Sequence, residues 1–139
     1  MRYVLDTNTC ITYLRGRNPL LRQRVSAVSE ADIVVPAPVR AELYYGAARS
    51  QDPRTARSGV DVFLARFASL PFDDAAAETY GRIRADLESR GEVIGPNDLL
   101  IAAIAVARGL MVVTHNTREF GRVGALTIED WEIGISPGP

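Results

Sequence analysis

The chain contains no lysine, a single cysteine and a single histidine, so several kinds of site are excluded at the outset. One cysteine, Cys10, cannot form an internal disulfide and cannot build a zinc site from thiolates. The longest apolar run, residues 99–107, is too short to span a bilayer. All 16 basic residues are arginine. Arginine suits bidentate phosphate contacts, but the absence of lysine is explained more simply by a biased genomic composition.

The 139 residues are 47% hydrophobic and 24% charged, which is typical of one globular domain with a core of its own. We expect a single domain over residues 1–135 and a flexible tail at 136–139, where Pro and Gly alternate. The formal net charge of −1 provides no global attraction for nucleic acid, so any phosphate binding requires a local patch. No signal-peptide pattern is visible at the start, and we expect a cytoplasmic protein without a membrane partner.

Short β-branched or apolar runs alternate with helical patterns along the chain. Strands are predicted at residues 3–5, 33–35, 110–114 and 126–128, with a further short strand at 70–72. Helices are predicted between them, the most apolar of which follows Asp98. This alternation favours an α/β sandwich with a mainly parallel sheet covered by helices on both faces.

Three acids occur where the pattern does not favour a solvated charge. Asp6 follows a buried strand, Glu42 shares a helical face with Val39 and Leu43, and Asp98 begins the apolar helix. Each has a simpler explanation, since Asp6 and Asp98 are good helix caps and an arginine could pair with Glu42. The carboxyl ends of parallel strands meet at one edge, however, and Asp6 and Asn116 both follow strand ends. We therefore predict that these residues form one site.

Carboxylates brought together in this way repel one another unless a divalent cation compensates them. Oxygen ligands without cysteine or clustered histidine favour Mg²⁺ or Mn²⁺ over zinc. A general-base role for His115, the only histidine, is not needed where a metal activates water.

Four segments, in order, resemble the motifs of the PIN-domain ribonucleases, and more narrowly the VapC toxins of bacterial toxin–antitoxin pairs. They are Leu5-Asp6-Thr7-Asn8, Ala41-Glu42-Leu43-Tyr44-Tyr45-Gly46-Ala47, Asn97-Asp98-Leu99-Leu100-Ile101-Ala102-Ala103 and Val113-Thr114-His115-Asn116-Thr117-Arg118-Glu119-Phe120. The resemblance spans nearly the whole chain.

The resemblance implies a three-layer α/β/α sandwich and a Mg²⁺-dependent endoribonuclease in which Mn²⁺ can substitute. It places the metal ligands at Asp6, Glu42 and Asp98 and the fourth catalytic position at Asn116, where the family has an acid. Asparagine adds no charge there, and we rank Glu119 below it as a compensating ligand. The resemblance also implies a homodimer and an antitoxin whose C-terminal segment lies over the active site.

Other side chains near the motifs are candidates for supporting roles. Thr7, Thr114 and Asn8 are expected to orient ligands or fix the turn after Asp6. RNA contacts are predicted for Arg15, Arg40 and Arg118, whereas core packing is the simpler interpretation for Tyr44 and Tyr45 and for the stripe Val60, Phe63, Leu64 and Phe67.

Two other functions fit parts of the pattern. A catalytically weak PIN-like module that binds RNA or protein would explain the missing fourth acid. A phosphatase that uses Asp6 as nucleophile is the third possibility, although Asn8 stands where such enzymes have a second aspartate.

Overall fold

The computed structural model describes residues 1–134, and the tail predicted at 136–139 lies outside the described residues. Four strands and seven α-helices follow one another in this region: β1 (Tyr3–Leu5), α1 (Thr7–Arg15), α2 (Pro19–Ala27), β2 (Ile33–Val34), α3 (Ala37–Ala48), α4 (Pro53–Leu64), α5 (Asp74–Ser89), α6 (Pro96–Arg108), β3 (Met111–Val113), α7 (Thr117–Phe120) and β4 (Ile128–Glu129).

The strands form one sheet in the order β2-β1-β3-β4, and every pair is parallel. Val4 is paired with Val34 on one side and with Val112 on the other, so β1 and β3 are the central strands. Four of their six side chains are fully buried, as expected for a parallel sheet covered on both faces. The predicted α/β/α sandwich is confirmed, and its sheet is parallel throughout.

The direction of the chain connections creates a crevice between β1 and β3. From β1 the chain continues to β2 on one side, whereas from β3 it continues to β4 on the other. In open parallel sheets, ligands bind beyond the carboxyl ends of the strands at such a switch point. The residues that follow Leu5 and Val113 are therefore the first place to look for a site.

Helix α6 is the most buried helix, and its core residues include Ile101, Ala102 and Ile104. Because small alanines alternate with large side chains, α6 packs closely against α5 and against β3. It ends at Gly109, whose φ of 66° is left-handed and suits a residue without a side chain. The chain can then turn directly into β3.

The predicted strand at residues 70–72 is wrong. The segment before it makes an isolated bridge between Ala68 and Val34, and the Leu70 carbonyl accepts a hydrogen bond from the Ala37 amide. Pro71 has no N–H to donate, which prevents this segment from extending the ladder. The stripe Val60, Phe63, Leu64 and Phe67 is core, as the simpler interpretation held.

None of the helices in residues 1–134 combines the length and the hydropathy that crossing a membrane requires.

Candidate active site at the ends of strands β1 and β3

Asp6 is the first side chain beyond β1, and it is 2% exposed. Its Oδ1 accepts a hydrogen bond from the Thr9 amide at 2.9 Å and so caps α1. Its Oδ2 accepts the Thr114 hydroxyl at 2.6 Å. Asp6 is therefore the residue that caps α1, as one of its two interpretations held. The expectation that Thr7 or Asn8 fixes this turn in place of Asp6 is wrong.

Burial raises the pKa of Asp6, while the hydrogen bonds from Thr114 and Thr9 oppose that rise. Each carboxylate oxygen has two lone pairs, so these two bonds leave acceptor capacity unused. Capping α1 and binding a cation are therefore compatible roles for this side chain.

Asp98 lies in the first turn of α6, but it does not cap the helix, because the cap residue is Gly95. Its carboxyl group is half-buried, and its pKa is raised to about 6 by burial and by the negative charges of Asp6 and Glu119. Residues from the ends of β1, α6 and α7 therefore lie close enough to affect one another's charge state. This is the acid cluster, defined as Asp6, Asp98 and Glu119.

Asn116 joins two members of the acid cluster. Its side-chain amide nitrogen donates to Asp98 Oδ2 at 3.4 Å and to Glu119 Oε2. The nitrogen, rather than the carbonyl oxygen, faces the carboxylates, so Asn116 bridges acids here instead of adding an oxygen ligand.

Glu119 contacts other residues of the site, although the sequence alone placed it below Asn116 as a candidate ligand. Besides Asn116, it accepts a hydrogen bond from the Gly95 amide at 3.2 Å. The hydrogen bond from Asn116 is the main reason why the pKa of Glu119 is lowered, so this group is charged at neutral pH. The spacing of Asn116 and Glu119, three residues apart at the start of α7, is the sequence signal for their contact.

Glu42 is exposed, and the prediction that apolar neighbours shield it from solvent is wrong. Among residues 1–134 it has no hydrogen bond or ion pair with the acid cluster. It lines a cleft of about 410 Å³ between α1, α3 and α4, together with Arg15 and Leu14. Within the described residues, neither Asp6, Glu42 and Asp98 nor the acid cluster itself forms a set whose ligand atoms all lie within 4.8 Å of one another.

Two threonines and an asparagine connect the surrounding elements. Thr114 is fully buried, and besides donating to Asp6 it accepts the Asn116 amide at 2.9 Å. Thr7 accepts a hydrogen bond from the Asn97 side chain at 3.1 Å, which joins α1 to α6. The hydroxyl of Thr114 therefore orients the Asp6 carboxylate, as predicted. The hydroxyl of Thr7 instead binds the side chain of Asn97.

His115 points to a different neighbour. Its Nδ1 lies 2.8 Å from Asp130 Oδ2, and this hydrogen bond is the main reason why the pKa of the imidazole is raised. Asp130 and Glu132, which follow β4, were not identified from the sequence, because no local pattern marks them.

The predicted RNA-contacting and aromatic residues differ in their surroundings. Arg40 donates to the carbonyls of Val35 and Phe67 at 2.7 and 2.9 Å, so it holds the fold together. Arg15 and Arg118 are exposed. Tyr44 is half-buried against the core, but Tyr45 is 59% exposed, so core packing is wrong for Tyr45.

The PIN-domain family model matches residues 3–126. The chain is 40% identical over 131 residues to the tRNA(fMet)-specific endonuclease VapC of Shigella flexneri, covering 94% of this chain and 98% of that protein. It is 35% identical to ribonuclease VapC2 of Rickettsia felis, covering 95% and 99%. Its fold matches the DNA-bound VapBC of Salmonella typhimurium with a TM-score of 0.90 at 38% identity, covering 94% of this chain and 98% of that one. The chain therefore belongs to the PIN-domain family, and within it to the VapC ribonucleases.

Proposed function

We propose that the chain is a divalent-metal-dependent endoribonuclease toxin whose active site is the acid cluster. The observation that carries this proposal is the position of Asp98, whose pKa of about 6 reflects burial next to two other carboxylates at the switch point. Among residues 1–134 no arginine forms an ion pair with these carboxylates, although the charge of Arg122 acts on Glu119, and like charges held together in this way favour a bound cation. The pair Asp98 and Glu119 also explains how the chain functions with asparagine at position 116.

The donor set fits Mg²⁺, with Mn²⁺ as a substitute, since Asp6, Asp98 and Glu119 offer only oxygen. Mg²⁺ usually keeps several waters and needs only one or two direct carboxylates, so a compact set of three is not required. When bound, the ion supplies an acidified water and neutralises the charge that develops on the phosphate.

The protein's own contribution is to position these carboxylates. Thr9 and Thr114 fix both oxygens of Asp6, and Asn116 holds Asp98 and Glu119 near each other. Attack of water on the phosphorus would break the P–O3′ bond, so that one RNA fragment keeps a 3′-hydroxyl and the other carries a 5′-phosphate. The rigid start of α1 and α6 keeps the acids in place without rearrangement.

The substrate is RNA with an accessible loop, and initiator tRNA is the first candidate because the relative from Shigella flexneri is named for it. Exposed Arg15 and Arg118 are positioned on α1 and α7, the two helices that begin beside the site. They offer phosphate contacts that a net charge of −1 does not otherwise supply. Glu42 remains a predicted catalytic residue, and its exposure suits contact with a bound molecule.

The partner is an antitoxin, as in the VapBC complexes that share this fold. The cleft between α1, α3 and α4 is lined by apolar Leu14 and Val60 and by the oppositely charged side chains of Arg15 and Glu42. An amphipathic antitoxin segment fits such a surface. Helix α1 runs from this cleft to its cap at Asp6, about 13 Å for nine residues. A segment lying along α1 would therefore cover both the cleft and the acid cluster.

The test is incubation of the purified chain with initiator tRNA transcript and Mg²⁺ or Mn²⁺, followed by sequencing of the cleaved ends. Cleavage that stops with EDTA and resumes when metal is restored supports the proposal. Binding without cleavage under the same conditions would favour the RNA-binding module instead. The homodimer and the cytoplasmic location stay predictions, which gel filtration and cell fractionation would check.

A further inference from the structure

A second group of metal-ligating side chains lies beside the acid cluster and shares no residue with it. It consists of His115 after β3 and Asp130 and Glu132 after β4, and each offers one ligand atom within 4.8 Å of the others. Because β3 and β4 are adjacent and parallel, with Val113 paired with Glu129, their carboxyl ends bring these residues together. We call them the histidine cluster.

Asp130 is held firmly at the centre of this cluster, and its side chain is 9% exposed. Its Oδ1 accepts the Glu132 amide at 2.9 Å, and its Oδ2 lies 2.8 Å from His115 Nδ1. Two ligands of a tetrahedral ion on bonds of about 2.1 Å are separated by roughly 3.4 Å. The hydrogen-bonded Nδ1–Oδ2 distance of 2.8 Å must therefore lengthen by only about 0.6 Å for His115 and Asp130 to share one ion.

The charges of the histidine cluster are not balanced by arginine. Within residues 1–134, Asp130 forms an ion pair only with His115, and Glu132 forms none. The neighbouring Glu129 differs, because it accepts hydrogen bonds from Arg24 and Trp131. Two carboxylates facing one imidazole therefore leave negative charge that a cation would neutralise.

We propose that His115, Asp130 and Glu132 bind one transition-metal ion, with Zn²⁺ the best fit. A nitrogen ligand together with carboxylates favours Zn²⁺ over Mg²⁺, whereas the acid cluster offers only oxygen. The exposed face of His115 leaves room for water to complete a tetrahedral coordination. The chain then has two cation sites of different selectivity on one edge of the sheet.

The experiment uses the single histidine as a reporter. In untagged protein labelled with ¹⁵N, the two ring nitrogens of His115 are the only imidazole signals. Titration with Zn²⁺ should shift them strongly and saturate at one equivalent, whereas millimolar Mg²⁺, which acts on His115 only through the neighbouring charge of Asp6, should shift them far less. The same response is expected in Asp98→Asn, which removes a carboxylate from the acid cluster alone.

Glu132→Gln is the decisive variant, and Glu129→Gln, three residues earlier at the end of β4, is its matched control. We expect Glu132→Gln to weaken Zn²⁺ binding at least about tenfold and Glu129→Gln to leave it unchanged. The proposal is overturned if Zn²⁺ does not shift the imidazole signals, or if Glu132→Gln binds Zn²⁺ as tightly as the unaltered protein. Circular dichroism on both variants ensures that folded proteins are compared.

Discussion

The hydroxyl of Thr114 donates a hydrogen bond of 2.6 Å to Asp6 and thereby joins the end of β3 to the end of β1. The same oxygen accepts the backbone amide of Asn116 at 2.9 Å. One buried hydroxyl thus fixes both the first carboxylate of the acid cluster and the turn that carries Asn116. Removal of this hydroxyl should therefore affect both folding and activity.

Thr114→Val should lower the free energy of unfolding by about 1–3 kcal/mol, because a buried carboxylate and a backbone amide each lose a partner. The shape of the side chain is nearly unchanged, so a cavity does not explain the loss. Urea denaturation measures it. Thr114→Ser keeps the hydroxyl and serves as the control, and equal stability of the Val and Ser variants would contradict the role assigned to this bond.

Asp98 should make stability depend on pH in a recognisable direction. Its folded pKa of about 6 exceeds the ordinary value of 3.8, so the unfolded state releases this proton first as pH rises. The free energy of unfolding contributed by Asp98 therefore falls between about pH 4 and pH 6 and stays low above that range. Solvent screening of a half-exposed group reduces the drop to about 1 kcal/mol.

Asp98→Asn removes this dependence, so its stability relative to the unaltered protein should rise by about 1 kcal/mol from about pH 4 to pH 7. Thermal unfolding over this pH range without divalent ions measures the difference. A stability difference that does not change with pH would show that the carboxyl group does not titrate as described.

Glu119→Gln should reduce cleavage most strongly when Mn²⁺ is limiting, because the variant keeps the hydrogen-bonding shape and loses the charge. We expect the Mn²⁺ concentration at half-maximal rate to rise at least about tenfold. Glu92→Gln, an exposed change before α6, is the control. If Glu119→Gln matches that control at every Mn²⁺ concentration, Glu119 has no part in metal binding.

Gly46→Arg should prevent binding of the antitoxin segment without unfolding the protein. Gly46 lines the cleft on α3, and a Cβ atom built there meets no heavy atom within 4 Å, so a longer side chain can start without a clash and extend into the cleft. Gly81→Arg on α5 is the matched control, since Gly81 is equally open but lies outside the cleft. Isothermal titration with the cognate antitoxin compares them, and equal affinity would move the docking site elsewhere.

The sheet and two of the acids follow from the sequence because their signals are local. Short apolar runs predict β1 and β3, and an acid directly after a strand or before an apolar helix marks Asp6 and Asp98. The parallel order of the strands then brings their ends together. These steps depend on residues close together in the chain.

The remaining features depend on packing between distant segments. Glu42 was predicted to share the buried face of Val39 and Leu43, and those two residues are buried, but Glu42 lies at the edge of that face and is exposed. Asp130 reaches His115 only through the pairing of β4 with β3, which leaves no periodic pattern. The sequence alone favoured Asn116 over Glu119 as a site residue. In the structure, one turn of α7 brings both side chains together.

The most direct test of the central claim is cleavage of initiator tRNA by Asp98→Asn, with Glu42→Gln and the exposed control Glu78→Gln measured beside it in saturating Mg²⁺. Asp98→Asn should lose at least about a hundredfold in rate while remaining folded, since the charge that holds the cation is gone. Glu42→Gln should also lose cleavage, and Glu78→Gln should keep it. Cleavage by folded Asp98→Asn at the unaltered rate would contradict the assignment of the acid cluster as the active site.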